Sequence, residues 1–328
     1  MQSWWMQMTD SGTTLEVRDS PLPVAGAGQL LVRLRAAALN RGEFLLAHGL
    51  HGQAGSWKAI GSEGAGEVVA VGADVAGFHI GDRVMGRCLA AFSEYALIEA
   101  AEAMAVPAML SWEQAASVPL AFLVAFDMLV LQGRLAAGEW LLVNGVSSGV
   151  GVASLQLGKA LGAKVIGTSG SGDKLAALAA VGLDVPLRTR RPDFAAAVMA
   201  ATAQHGADLV VNTVGGSVFA ESVRVLAFEG RLATVGYVDG TMHAEIDLGA
   251  VHAKRLTLFG VSNKLRTKAQ RAAAVPRFVA EVMPLIASGR VEPHIDRVFE
   301  FARLGDAKAR MEDGAHVGKI VVRMPAAS

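Results

Sequence analysis

The chain has a single cysteine, Cys88, among 328 residues. That excludes an intramolecular disulfide framework and any multi-cysteine zinc site, and it suits a reducing, cytoplasmic setting. Net charge is missing as well: 30 basic and 30 acidic residues cancel, and neither sign forms a long run. Such a balance advertises no surface for nucleic acid or for a membrane. Long hydrophobic runs are also lacking. The longest, Pro119 to Leu131, contains Asp127 and is too short to span a bilayer, so it reads as a buried helix. Met1 to Asp10 lacks the basic region and apolar core of a signal peptide, and no repeat or low-complexity segment occurs. Of eight histidines only His48 and His51 lie close together, in a glycine-containing passage with no cysteine nearby. Polar loop contacts or pocket lining suit them better than zinc.

What is present is apolar. Hydrophobic residues make up 52% of the chain, ample for real cores, and the length suggests two domains. From Leu15 to Ala37 short strands are separated by Pro21, Pro23, Gly26 and Gly28, and alternation puts Val32 and Leu34 opposite Arg33 and Arg35. Gly61 to Val71 and Val84 to Ile98 supply more strands, with Gly81-Asp82 as a turn between them. A helical region from Trp112 to Leu131 closes this β-rich portion. After Glu139 the rhythm becomes strand, helix, strand, helix, which implies a parallel sheet with helices on both faces. Strands are expected at Lys164 to Gly167, Ala207 to Asn212, Gly230 to Gly236 and Arg255 to Val261. Helices are expected at Asp173 to Val181, with Ser171 as N-cap, at Val218 to Leu226, and as one longer element from Thr267 to Ser288. The tail, ending Gly318-Lys319-Ile320-Val321-Val322, returns to β character, so the β-rich domain is expected to be discontinuous.

The stretch from Glu139 to Gly151 organises the rest. The four apolar residues Trp140 to Val143 fit a doubly buried strand, Gly145 to Gly151 is a glycine-rich turn, and Val152 to Leu161 has helical spacing. Unpaired amides and partial positive charge at a helix start attract an anion where no side chain blocks its approach. Gly145, Ser148 and Gly151 stand in the pattern of a dinucleotide turn, with serine at its middle position. A rival reading uses the same letters: Gly145-Val146-Ser147-Ser148-Gly149 is a literal GxSxG, with Ser147 as the nucleophile of a serine hydrolase. The second strand supports the phosphate cradle. It ends in Thr168 and Ser169, close to the place, about 20 residues on, where a ribose-reading acid stands in dinucleotide folds. A hydroxyl there with Lys174 nearby suits a 2′-phosphate and favours NADPH over NADH. The alternative is that Lys174 is a solvated helix residue and Asp173 merely stabilises the helix start.

Several passages together carry a resemblance: Ala37-Ala38-Leu39-Asn40, Gly61-Ser62-Glu63-Gly64-Ala65-Gly66-Glu67-Val68, Val71-Gly72, Gly81-Asp82-Arg83-Val84, Ser147 to Gly151, Asn212-Thr213-Val214-Gly215-Gly216 and Gly318-Lys319-Ile320-Val321. From about Leu15 to Val322 the chain resembles the zinc-independent medium-chain dehydrogenases/reductases of the quinone oxidoreductase group, which contains zeta-crystallin. The resemblance implies an α/β chain with a discontinuous GroES-like β-rich catalytic domain, residues 1–120 and 264–328. A Rossmann doubly wound parallel-sheet domain, residues 121–263, would bind NADP(H).

Zinc-dependent relatives carry a cysteine near Asn40 and a histidine before the residue matching Glu63; here Asn40 and Ser62 stand in that neighbourhood. Without a Lewis acid to polarise an alcohol, the expected chemistry is hydride delivery from NADPH to a quinone or an α,β-unsaturated carbonyl. By resemblance Asn40 faces the nicotinamide. Gly145, Ser148, Gly149, Val150 and Gly151 form the pyrophosphate turn, while Thr168, Ser169 and Lys174 serve the adenosine end. Thr213, Gly236 and Phe259 would line the groove at later strand ends.

Three positions depart from the group's pattern: His51 and Thr189 stand where a tyrosine is common, and Val124 where a threonine is. His51 is the candidate proton donor, with water as the alternative. A homodimer through the edge strand Leu256 to Val261 is also implied. A second functional class is an NADPH-binding protein with little turnover, as zeta-crystallin is in lenses.

Overall fold

Val32 and Leu34 are fully buried while Arg33 and Arg35, alternating with them, remain half-buried and reach Glu67 at 3.1 and 3.3 Å. Those hydrogen bonds hold the Glu67 carboxyl below its ordinary range. The period-2 pattern thus becomes a strand with one face in a core. The computed structural model describes residues 1–9, 12–44 and 55–325. Its chain divides into two compact units: Met1–Leu120, Arg266–Ala287 and Pro293–Ser328 form the first, Ala121–Leu265 and Ser288–Glu292 the second.

In the first unit, β1 (Gln2–Thr9), β2 (Gly12–Asp19) and β4 (Trp57–Ala59) make a small sheet. Next to it in sequence come β3 (Gln29–Ala38), β5 (Glu63–Val71), β6 (Arg83–Cys88) and β7 (Tyr95–Ala105). Because β3 pairs with β7 as well as with β5, these four strands close on themselves. Leu30, Val32, Leu34, Val68, Val84, Phe92 and Ile98 fill the core they enclose.

The helical region after β7 is interrupted. A capping box at Ser111 and Gln114 starts α1 (Trp112–Ala116), Pro119 opens α2 (Pro119–Phe126), and Asp127–Gln132 continues in wider π turns. Asp127, the charge inside the apolar run, is buried and accepts a hydrogen bond from Gln132 Nε2 at 3.1 Å.

The second unit is a parallel six-stranded sheet. Its strands are β8 (Trp140–Asn144), β9 (Lys164–Ser169), β10 (Val185–Arg188), β11 (Ala207–Asn212), β12 (Leu226–Thr234) and β13 (Thr257–Gly260), in the order β10-β9-β8-β11-β12-β13. Reversal of the strand order beside β8 creates the switch point of a doubly wound fold, where open sheets of this kind bind ligands. Helices α3 (Gly149–Ala160), α4 (Gly172–Ala179), α5 (Ala195–Ala201), α6 (Phe219–Arg224) and α7 (Leu248–Ala253) link the strands. Leu142, Ile166, Val210, Leu232, Val198 and Val223 belong to its core. Leu226, expected to end a helix, instead begins β12, pairing with Ala207.

The expected single helix from Thr267 to Ser288 is three short ones: α8 (Lys268–Ala272), α9 (Val275–Glu281) and α10 (Met283–Ala287). Pro276 and Pro284 lack the amide a continuous helix would need, and each sits in the first turn of a new helix. After them β14 (Ile295–Glu300), α11 (Leu304–Glu312) and β15 (Lys319–Arg323) return to the first unit. There β15 pairs with β3, completing the order β14-β15-β3-β5-β6-β7.

Candidate functional site

The residues singled out from sequence fall into two groups, one in each unit. In the second unit, Gly145 follows β8 with φ +75°, a conformation that favours glycine, and a Cβ there would come within 2.4 Å of Thr213 Oγ1. A Cβ on Gly151 would sit 2.4 Å from the Gly145 carbonyl oxygen. Neither position admits a side chain without moving the turn. Ser148 is the N-cap of α3, its Oγ accepting from the Gly151 amide at 3.0 Å. The amides of Gly149 and Val150, the first two of the helix, have no partner among the described residues. A capped, glycine-cleared helix start with two open donors is an anion cradle.

Thr168 and Thr213, expected as cofactor contacts, are buried and brace the turn. Thr168 Oγ1 accepts from the Gly145 amide at 3.3 Å and donates to Asn144 Oδ1 at 3.2 Å, while Thr213 Oγ1 donates to the Asn144 carbonyl at 2.8 Å. Asn144 Nδ2 in turn donates to Ser222 Oγ at 2.8 Å. Asn144 is the centre of this network, and sequence reasoning misses it, because a polar residue ending an apolar strand carries no distinctive signal. Gly236 approaches the same place: a Cβ on it would lie 2.9 Å from the Thr213 carbonyl. Phe259 is half-buried on β13, the last strand in the sheet order and two strands from β11, which Thr213 follows.

At the end of β9, Ser169 Oγ accepts from the Ser171 amide at 3.3 Å, and Ser171 caps α4 through the Lys174 amide at 3.4 Å. Two arginines converge on this segment. Arg188 pairs in register with Ser169, and a Cβ on Gly170 would come within 2.6 Å of Arg190 Nε and 3.1 Å of its Cζ. Arg190 therefore lies over the loop that joins Ser169 to Lys174. The sequence signal for it is the run Arg188 to Arg191, which by itself also suits a solvated loop.

For Ser147 the geometry is that of an ordinary turn residue. The positive φ in this turn belongs to Gly145, whereas a nucleophile elbow holds its serine on the strained position.

In the first unit, Asn40 follows β3 and belongs to a buried polar cluster. Lys319 Nζ donates to the Leu39 carbonyl at 2.7 Å, Asn40 Oδ1 at 2.8 Å and Glu63 Oε1 at 2.8 Å, which uses all three ammonium protons. Glu63 Oε1 also accepts from Asn40 Nδ2 at 2.9 Å, and its Oε2 accepts from the Leu120 amide at 2.7 Å. Glu43, on the 3-10 turn Arg41–Phe44, accepts from Asn40 Nδ2 at 3.2 Å and from the Ser62 hydroxyl. Burial pushes the Glu43 carboxyl up to about 8, with the hydrogen bond from Asn40 and the charge of Lys319 only partly opposing it. Asn40 and Ser62 are half-buried; Glu43, Glu63 and Lys319 lie beneath them. Sequence reasoning misses Glu43 and Lys319 as site residues, since only the tertiary pairing of β15 with β3 brings Lys319 to Asn40. His51 lies outside the described residues, and Val124 is half-buried on α2. Among the described residues no three His, Cys, Asp or Glu side chains group as metal ligands.

Residues 26–109 match the alcohol dehydrogenase GroES-like domain family, and residues 181–322 match the zinc-binding dehydrogenase family. Three solved structures share the whole fold. A quinone oxidoreductase of Pseudomonas syringae pv. tomato DC3000 has a TM-score of 0.87 at 27% identity, covering 98% of this chain and 100% of its own. A mycobacterial protein solved in complex with NADPH gives 0.87 at 27%, with the same coverages of 98% and 100%. The CurK enoyl reductase gives 0.83 at 26%, covering 98% of this chain and 99% of its own. Among curated relatives, a phenolphthiocerol/phthiocerol polyketide synthase protein of Mycobacterium tuberculosis is 32% identical over 298 residues, 90% of this chain. The chain spans only 14% of that relative's length.

Proposed function

Because the chain belongs to the medium-chain dehydrogenase/reductase superfamily and is an oxidoreductase of that family, we propose that it is an NADPH-dependent, zinc-independent reductase of quinones or α,β-unsaturated carbonyls. The observation that carries this reading is the placement of Arg188 beside Ser169 and of Arg190 over Gly170, one strand from the open amides of Gly149 and Val150. A dinucleotide whose pyrophosphate sits on the α3 amides extends its adenosine ribose toward the end of β9. The cations there suit a 2′-phosphate, since guanidinium groups recognise phosphate by paired, charge-assisted hydrogen bonds. The solved relative that holds NADPH supports the same cofactor.

Bound NADPH would supply the hydride, and the chain supplies place and environment. Gly149, Val150 and Gly151 would hold the pyrophosphate, Ser169, Lys174, Arg188 and Arg190 the adenosine end, and Gly236 and Phe259 the groove. Thr168 and Thr213 act on the cofactor through the shape of the turn they brace. Asn40 would meet the nicotinamide, its amide orientation set by Lys319 on one side and by Glu63 on the other.

Zinc fits the first-unit cluster poorly. An amide and a hydroxyl stand at Asn40 and Ser62, and the carboxylate of Glu63 already faces an ammonium. An acceptor that is electrophilic without a Lewis acid, a quinone or a carbon–carbon double bond conjugated to a carbonyl, follows from that donor set. A homodimer through the edge of β13 and a cytoplasmic setting complete the proposal.

The test is NADPH oxidation against a panel of quinones and enones, with NADH in parallel. Turnover with NADPH in preference to NADH is expected. Tight NADPH binding with no turnover on any acceptor would replace the reductase by a binding protein.

A further inference from the structure

Reduction of a quinone or an enone consumes a proton for every hydride, and the first-unit cluster contains a buried acid placed to supply it. Glu63 receives three hydrogen bonds, from Lys319, Asn40 and the Leu120 amide, and is the partner of the Lys319 ammonium. One positive and one negative charge then balance, so ionised Glu43 would be a second, uncompensated anion in the same buried space. Its Oε2 is buried without a hydrogen-bond partner among the described residues, which penalises the ionised form further. Among the described residues only Oε1 has polar company, and the hydroxyl beside it, Ser62, is one of the two half-buried members of the cluster.

Resting on the reductase reading above, we propose that Glu43 and Ser62 form the proton-supply pair of this enzyme: Glu43 stores the proton as a neutral acid, and the Ser62 hydroxyl passes it to the anion left on the acceptor. For an enone, the β carbon gains a C–H bond with the hydride from a dihydronicotinamide, and the double-bond pair moves to leave an enolate. A second C–H bond forms at the α carbon as the Ser62 O–H bond breaks. In the neutral acid the proton sits on Glu43 Oε1 and is donated to the Ser62 oxygen, the reverse of the bond that the carboxylate accepts. The Ser62 oxygen takes that proton as its own leaves, and the new Glu43 carboxylate, facing Asn40 Nδ2 with the Lys319 charge nearby, regains a proton from water. Its elevation to about 8 keeps Glu43 loaded at neutral pH, near the optimum for a general acid. Among the described residues the other titratable groups near it are Glu63, Lys319 and Cys88, and the Cys88 thiol is driven well above its ordinary range by burial and by the two glutamates. In this arrangement Ser62 is the catalytic residue, and Glu43 acts through it.

Infrared spectroscopy of the cofactor-free protein tests the pair directly. A carboxylic-acid C=O band is expected at pH 7, titrating near 8 and absent in Glu43→Gln, and its shift on transfer to D2O is expected to slow in Ser62→Ala. In turnover, Glu43→Gln and Ser62→Ala should each lower kcat by about 10²-fold or more, with NADPH affinity unchanged, and Glu43→Gln should abolish the fall in kcat at alkaline pH. The proposal is overturned if no acid band is present, if its exchange is as fast in Ser62→Ala, or if Glu43→Gln keeps the parental kcat and pH profile. Should the parent protein reduce no acceptor, the reductase reading falls, and the band with its exchange rate decides the pair alone.

Discussion

Lys319 Nζ lies 2.8 Å from Glu63 Oε1, both side chains are buried, and 256 residues of chain separate them. The pair ties β15 to the first residue of β5. Removing one partner of such a pair strands a buried charge, which costs more than the pair itself contributes. Lys319→Met should therefore destabilise the protein by about 3–5 kcal/mol in urea denaturation. The double variant Lys319→Met with Glu63→Gln should recover part of that loss. An additive double variant would show that no charge was stranded.

Glu43 links protonation to stability. Burial raises its carboxyl from 4.5 to about 8 in the fold, so between those values the folded protein holds a proton that the unfolded chain has released. Its contribution to stability is fully present below about 4.5 and is lost as the pH rises through about 8. Denaturation midpoints of the parent should fall across this window by the equivalent of a few kcal/mol, whereas Glu43→Gln, neutral throughout, should lack that component. Parallel profiles for the two proteins would place Glu43 among ordinary carboxylates.

Arg190 over Gly170 makes cofactor choice testable. Arg190→Ala should weaken NADPH binding about tenfold or more, the scale of a lost charge-assisted hydrogen bond, and leave NADH nearly unchanged. Lys174→Ala should move the preference in the same direction. Fluorescence titration with both nucleotides measures it, and an unchanged ratio in both variants would remove the 2′-phosphate from this loop.

Gly151→Val probes the cradle. Its Cβ would meet the Gly145 carbonyl at 2.4 Å, so the turn must open and the α3 amides must move. NADPH and NADH should lose affinity by similar factors, in contrast to Arg190→Ala. Loss of NADPH affinity alone would argue that the pyrophosphate rests elsewhere.

Much of the local structure can be read from the chain alone. Strands buried on both faces announce themselves by continuous apolar runs, as at Trp140–Asn144, and Ser171 shows its N-cap role by its position. The proline breaks inside Thr267 to Ser288 are equally available from the covalent chemistry of Pro276 and Pro284, but helical spacing obscures them.

Local sequence suffices for the strand–turn–helix that forms the cradle, for the parallel sheet around it and for the lack of cysteine ligands, because backbone conformation and hydrophobic period are local properties. Tertiary packing alone makes Thr168 and Thr213 brace the turn through Asn144, folds Arg190 over Gly170, and pairs Lys319 with Glu63 so that Glu43 is left as the neutral acid. Protonation and side-chain partnership depend on what burial brings together, and for Lys319 that partner lies at the other end of the chain.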